Sequence, residues 1–193
     1  MTPSHHNLDD QALRAASEEE LIKLTHVQSF DEDRLSQHLK GDDYQQVLHG
    51  HLYFDHVLTA LLTEEFKNPK AVDLIRTSFA QKLSLVDALG LIPHDLVPAV
   101  TALNRLRNRL AHNLDATIGE PEIEKLRNAL PPWLRKEVLS SDQSAGPLKV
   151  TLVHLLFVTE KSRQMNAHRR LKMRKWRLDS DAFLKSIDRK SPT

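Results

Sequence analysis

Residues 97–114, VPAVTALNRLRNRLAHNL, decide the fold because their apolar residues recur at the spacing of an α-helix. On a helical wheel of about 100° per residue, Arg107 falls in the middle of the apolar face. The apolar residues within about 60° of it are Val100, Leu103, Leu110, Ala111 and Leu114. Pro98 falls in the first turn, where a missing N–H costs little. The pattern predicts an amphipathic helix from about Asp95 to Leu114 with a guanidinium on its apolar side.

An arginine on an apolar face needs a partner, because burying an unpaired charge costs several kcal/mol. A second polar interruption occurs in the helix predicted over residues 44–66, where Asp55 lies within about 40° of the apolar residues Leu48 and Leu62. His51 lies on the same side, one turn earlier. Two interpretations stay open: Arg107 and Asp55 form a buried ion pair with His51 nearby, or Arg107 belongs to a functional site. The two are compatible, since an acidic neighbour can orient a catalytic arginine.

The flank of the same helix carries further polar residues. Asn108 and His112 are four residues apart and project side by side, Arg105 points the same way, and Arg109 lies about one turn before His112. A single histidine at a helix end is typical of a surface residue or a partner of the helix dipole. Its combination with Arg107 and Asn108 favours a functional site.

The rest of the chain also predicts helices. Residues 1–16 are polar and are expected to lack regular structure, whereas Ser17 and Glu20 have capping-box spacing and open a short helix. A second short helix is expected over residues 31–40. The helix 44–66 follows, with Leu48, Leu52, Leu58, Leu62 and Phe66 at helical spacing.

Apolar residues recur at helical spacing again between Pro69 and Leu89, with Gly90 as the stop signal. Two short helices separated by Pro131-Pro132 are expected after residues 119–121. A Ser/Gly/Pro-rich linker follows, and residues 148–158 form a β-branched apolar run that suits a buried strand or a helix; helix is preferred, because a single strand has no partner here. The predicted organisation is an N-terminal extension with short helices, a helical core, a linker and a C-terminal helical segment, at residues 1–42, 43–139, 140–147 and 148–193.

Composition favours one all-α domain and narrows the classes of function. Only five of the 193 residues are glycine, and helix formers dominate. The net charge of +1 gives no global attraction to nucleic acid or membranes. The absence of cysteine excludes disulfides, thiol catalysis and thiolate zinc sites. The polar N-terminus and the lack of a long apolar run predict a cytoplasmic protein with no membrane association.

Two other features suggest weaker functional hypotheses. His49, His51 and His56 lie close together, but no metal-binding spacing supports imidazole ligation, so no metal and no cofactor are expected. The C-terminal segment holds a local basic cluster that would track a nucleic-acid backbone or form a solvated charged face. Its proposed nucleic-acid-binding residues are Arg169, Arg170, Lys172, Arg174, Lys175 and Arg177.

Residues 103–112, LNRLRNRLAH, resemble the signature of the HEPN superfamily (higher eukaryotes and prokaryotes nucleotide-binding), an arginine followed by a polar residue and, four to six residues on, a histidine. Arg107, Asn108 and His112 match it. The preceding residues 79–92, FAQKLSLVDALGLI, resemble the mannitol operon repressor-like branch of that superfamily. The resemblance covers about residues 44–130.

The resemblance implies a bundle of four or more helices, here with additional N- and C-terminal helices, that dimerises through the signature helix. Many members are metal-independent endoribonucleases of toxin–antitoxin and phage-defence systems, whereas others are non-catalytic regulators. By this resemblance Arg107 would stabilise charge on phosphorus, His112 would transfer protons, and Asn108 would orient the phosphate or His112. RNA, an antitoxin or another protein, and a second copy of the chain are the implied partners.

Two functions therefore remain open after the sequence has been read. One is a metal-independent RNase with Arg107, Asn108 and His112 as catalytic residues and Asp55, His51, Arg105 and Arg109 in support. The other is a non-catalytic dimeric regulator or interaction module, including a transcriptional regulator of the mannitol-repressor type. Arg107 on an apolar face is expected under both.

Overall fold

The computed structural model describes residues 9–25, 37, 39–113 and 115–188. In this part of the chain all regular elements are helical, as predicted. They are α1 (Asp10–Ala15), α2 (Glu18–Thr25), α3 (Asp43–Glu65), α4 (Phe79–Ala88), α5 (Val97–His112), α6 (Glu120–Asn128), α7 (Pro132–Ser140) and α8 (Pro147–Asp188), with short 3-10 turns at Pro69–Ala71 and His94–Leu96. No helix within these described ranges is both long enough and apolar enough to cross a membrane.

The chain divides into two compact units. Unit 1 consists of residues 1–29 and 164–193, and unit 2 consists of residues 30–163. Each unit has its own cluster of buried apolar side chains. This division differs from the boundaries expected at 43, 140 and 148, because the first part of α8 belongs to unit 2 and the second part to unit 1.

Unit 2 is built around α3, which packs against α4 and α5. Its start is fixed by a capping box, in which the Asp42 carboxylate accepts from the Gln45 N–H and the Gln45 side chain accepts from the Asp42 N–H. The predicted helix is confirmed, but its buried face is rotated. Leu52 is 56 % exposed, and the buried apolar residues are Val47, Phe54, Val57, Leu58, Leu61 and Leu62.

The segment between α3 and α5 is only partly helical. Ile75 is 93 % exposed, and α4 begins only at Phe79, because Ser78 caps it through a capping box with Gln81. Gly90 follows α4 with φ +62°, the left-handed conformation that favours glycine, so the predicted stop signal is confirmed. The two short helices expected around Pro131-Pro132 are α6 and α7, and residues 141–146 form the linker.

The β-branched run after the linker is the start of α8, so the helical interpretation is confirmed and the strand alternative is wrong. Leu148, Leu152, Leu155 and Leu156 are fully or almost fully buried in the core of unit 2. Arg127 of α6 connects the linker to the start of α8 through hydrogen bonds. Its guanidinium donates to the Thr151 hydroxyl, the Gln143 side chain and the Pro147 carbonyl.

Unit 1 contains α1, α2 and the second part of α8, with a small core of Leu13, Ala16, Leu21 and Leu171. The capping box that opens α2 is confirmed, since Ser17 and Glu20 exchange both hydrogen bonds. Residues 10–15 were expected to be irregular, but they form α1, which the Asp9 carboxylate caps at the N–H of Gln11. The helix expected over 31–40 lies largely outside the described residues.

Candidate functional site

The buried face of α5 is not centred on Arg107. Its members are Ala99, Val100, Leu103, Leu106 and Leu110. The centre of this set lies about 50° from Arg107 on the wheel, and Ala111, which was placed on the apolar face, is exposed. Arg107 is therefore half-buried at the edge of the apolar face, where its guanidinium can leave the core.

Asp55 binds Lys82 of α4, and the predicted ion pair between Asp55 and Arg107 is wrong. The Lys82 ammonium lies 2.8 Å from both carboxylate oxygens of Asp55. The Lys82 side chain is 4 % exposed, whereas the Asp55 side chain is 38 % exposed. The acidic group on α3 thus neutralises a buried lysine, and Arg107 has no carboxylate partner among the described residues.

His51 is buried at the junction of α3, α4 and α5. Its ring stacks on the ring of Phe79 with centroids 4.2 Å apart, and Nε2 lies 3.0 Å from Oδ1 of Asn104. With the amide oxygen facing the ring, Nε2 carries the proton and donates. Nδ1 is then a buried acceptor with no hydrogen-bond partner in the described part of the chain. Burial lowers the pKa of His51, the positive charge of Arg107 lowers it further, and Asp55 opposes both.

Arg107 is held by its own helix. Nη1 donates to Oδ1 of Asn108 at 3.2 Å, while Nε is buried and has no hydrogen-bond partner among the residues that the structure describes. Asn104, three residues earlier, lies beside Arg107 on the same face and binds His51. The structure thus brings together side chains from three helices in a polar seam: His51, Asp55, Lys82, Asn104, Arg107 and Asn108.

His112 and the two flanking arginines lie outside the polar seam. His112 is exposed in the last turn of α5, about 140° around the helix from Arg107. Arg105 is exposed, and Nη1 of Arg109 binds Glu122 of α6 at 3.0 Å. This bond, with a second from the Gly119 N–H, lowers the pKa of Glu122. Arg109 therefore has a structural partner.

The other two histidines of α3, His49 and His56, lie outside the polar seam. His49 and His56 are exposed, whereas His51 is buried. Among the residues that the structure describes, no group of three or more His, Asp or Glu side chains is arranged to hold a metal ion.

The C-terminal basic cluster lies in unit 1, where several of its charges bind acidic residues of α1 and α2. Arg174 binds Asp10, Lys172 binds Glu18 at 3.0 Å, and Lys175 donates to backbone carbonyls at the end of α1. Arg169 and Arg177 are exposed and Arg170 is half-buried. Nucleic-acid binding by this cluster stays a prediction, and part of its charge also stabilises the packing of unit 1.

Three structural residues are absent from the sequence interpretation. Lys82 is buried, whereas lysines in folded proteins are almost always exposed, so its residue type gave no reason to select it. Its spacing of three from Phe79, which places both residues on one face of α4, is the only signal in the sequence. Asn104 lies one turn before Arg107 in α5, and that spacing is the only signal for it in the sequence. Arg127 has no sequence signal, because its partners are a hydroxyl, an amide and a carbonyl.

Comparison of the chain with protein-family models, with curated proteins and with solved structures finds no match.

Proposed function

We propose that this protein is a metal-independent endoribonuclease of the HEPN type that acts as a homodimer through α5. The observation that carries the proposal is the state of Arg107. Arg107 is half-buried, its guanidinium donates to the neutral amide of Asn108, and its Nε–H has no acceptor among the described residues. Because no carboxylate neutralises it within the described residues, its charge and donors remain available for an anion such as a phosphodiester.

In the proposed reaction the ribose 2′-oxygen attacks the adjacent phosphorus and the bond from phosphorus to the 5′-oxygen breaks. Arg107 stabilises the negative charge that develops on the phosphoryl oxygens, and Asn108 holds the guanidinium in place. His112 transfers a proton, either from the 2′-OH or to the leaving 5′-oxygen. The products are a 2′,3′-cyclic phosphate and a 5′-hydroxyl.

The homodimer is an essential part of this proposal. Arg107 and His112 of one chain are about 140° apart around α5 and about 7.5 Å apart along it, so they do not converge on one phosphate. Two copies of α5 that face each other would place Arg107 of one copy near His112 of the other. Ala111 and His112 are exposed at the end of α5, where such a contact would form.

The direct test is cleavage of RNA oligonucleotides by EDTA-treated protein, with the ends identified by mass spectrometry. We expect 2′,3′-cyclic phosphate ends from the wild type and none from His112→Ala. His49→Ala is the matched control, because His49 is also an exposed helical histidine and lies outside the polar seam. Arg107→Lys should also lose activity, since it keeps the charge but loses the planar fork. Arg76→Lys, at an exposed arginine, is its control.

Two results would refute the mechanism: a requirement for Mg²⁺, or full activity of His112→Ala. No cleavage of any RNA by a folded dimer would instead favour the non-catalytic regulator. A toxin or defence role adds a cellular expectation. Expression of the wild type should slow growth, and expression of His112→Ala to the same level should not.

A further inference from the structure

The ring of His51 can take up one more proton inside the polar seam. The residue is 7 % exposed, its ring stacks on Phe79, and Nε2 donates to Oδ1 of Asn104 at 3.0 Å. Nδ1 is buried as well and has no hydrogen-bond partner within the ranges that the structure describes. Because Nε2 already carries the proton of the neutral ring, a second proton binds at Nδ1 and makes the ring positive.

Charged groups from all three helices of the polar seam lie near this ring. Asp55 follows His51 by one turn on α3 and is neutralised by Lys82 of α4, whose ammonium lies 2.8 Å from both carboxylate oxygens. Arg107 lies on α5, one turn after the Asn104 that binds the ring. In the described part of the seam, Arg107 is thus the one positive charge without a counter-charge.

The charge of Arg107 and a proton on His51 oppose each other. Burial is the main cause that lowers the pKa of His51, and the positive charge of Arg107 lowers it further. The bond to Asn104 and the charge of Asp55 act in the opposite direction. A proton at Nδ1 has no acceptor among the described residues, so the surrounding charges and not a new hydrogen bond decide whether it binds. An anion at Arg107 cancels the opposing charge and raises the proton affinity of His51.

We propose that anion binding at Arg107 is linked to protonation of His51 at Nδ1, so that each strengthens the other. The two effects are equal, because coupling between two binding equilibria is reciprocal. The anion is an oxyanion, since a planar guanidinium binds two oxygens at once, and its natural source is the RNA phosphodiester. This link rests on the anion site of the proposed function and adds its regulation by pH. The affinity is highest at acidic pH and falls as the pH rises and His51 loses its second proton.

The first test follows the ring of His51 in the full chain by NMR, between about pH 8 and about pH 5. Sodium sulfate is the probe, because its charge does not change over this range, and sodium chloride at equal ionic strength is the control for screening. We expect sulfate to raise the titration midpoint of His51 in the wild type and to leave it unchanged in Arg107→Met. His49, an exposed histidine on the same helix, is the internal control.

The second test measures binding by calorimetry near pH 5 and near pH 8. The ligands are sulfate and a short 2′-deoxyoligonucleotide, which presents the same phosphodiester but has no 2′-OH for cleavage. Only the binding that Arg107→Met removes is assigned to the site, and we expect it to be at least about fivefold tighter at the acidic pH. His51→Gln keeps a donor for Asn104 but takes up no proton, so it should lose this pH dependence. The first test needs no change at His51 and stays decisive if this variant does not fold.

The failure of this link and the failure of the proposed function give different results. An unmoved His51 midpoint, together with sulfate binding that depends on Arg107, would overturn the link and leave the RNase in place. Equal sulfate binding by the wild type and Arg107→Met would overturn both, because Arg107 would then hold no anion. Coupling with sulfate but not with the deoxyoligonucleotide would support the link and assign the site to a free oxyanion, which contradicts the RNase.

Discussion

Replacing the two members of the Lys82–Asp55 pair should have very unequal effects on stability. Asp55→Asn removes the negative charge and leaves the Lys82 ammonium, whose side chain is 4 % exposed, without a counter-charge. Breaking a buried pair in this way costs about 3–5 kcal/mol. Lys82→Met leaves Asp55, which is 38 % exposed and can be hydrated, and the methionine replaces the buried stem. We expect a cost of only about 1 kcal/mol.

The same structure predicts that Arg107→Met lowers the free energy of unfolding by about 1 kcal/mol or less, because it removes one hydrogen bond to Asn108 and leaves no buried charge without a partner. The double variant Asp55→Asn/Lys82→Met should be close to Lys82→Met alone. A double-mutant cycle should therefore give a coupling energy of about 3–5 kcal/mol between Asp55 and Lys82.

The assay is equilibrium unfolding in urea, followed by the fluorescence of Trp133 in a Trp176→Phe background. Trp133 reports on unit 2, where its indole N–H binds Asp95 at 3.0 Å. The reasoning fails if Lys82→Met costs as much as Asp55→Asn. It fails equally if Arg107→Met is as destabilising as Asp55→Asn, because Arg107 would then be the partner that Asp55 needs.

Three further predictions concern other parts of the fold. Arg127→Met should increase proteolytic cleavage within residues 141–146, measured by mass spectrometry, because it removes the donors that hold the linker. Burial raises the pKa of Glu160, so the folded state binds the carboxyl proton of Glu160 more tightly than the unfolded state does. The stability that this proton contributes is lost as the pH rises through the raised pKa. Glu160→Gln should therefore gain stability over the wild type between about pH 4 and pH 7, measured as urea midpoints; an equal midpoint difference at both pH values would contradict this. Leu155→Ala, at a fully buried site, should cost about 2–5 kcal/mol in urea unfolding. Leu139→Ala, at a side chain that is 51 % exposed, should cost about 0.5 kcal/mol or less.

The sequence predicts the helices well, because the signals that begin and end them are local. Ser17 with Glu20, Gly90, and Pro131-Pro132 each act on backbone groups within a few residues, and the structure uses all of them. The α1 helix was missed although Asp9 is a good cap, because a short polar helix has almost no apolar periodicity.

The contacts between helices were predicted less well, since a wheel gives the face of a helix and not the neighbour that covers it. The wheel of α5 counted Ala111, which is exposed, and omitted Leu106, which is buried, so it placed Arg107 too deep. The wheel of α3 likewise showed that Asp55 needs a cation, but a wheel does not show whether that cation comes from α4 or α5. His51 was identified, but its bond to Asn104 depends on the crossing of two helices 53 residues apart in sequence.

The packing of α1 and α2 against the end of α8 has a consequence for the order of events on the ribosome. Glu18 cannot meet Lys172 until 154 further residues have been made, which takes roughly 8 to 30 seconds at cellular rates of synthesis. During that interval Leu21, later almost fully buried in unit 1, has no core to enter. Unit 2 can form first, and unit 1 then closes after translation by joining segments from opposite ends of the chain. Helices as short as α1 and α2 are not stable without tertiary contacts. A truncated translation product would therefore contain residues 10–25 as an exposed segment that quality-control proteases can recognise.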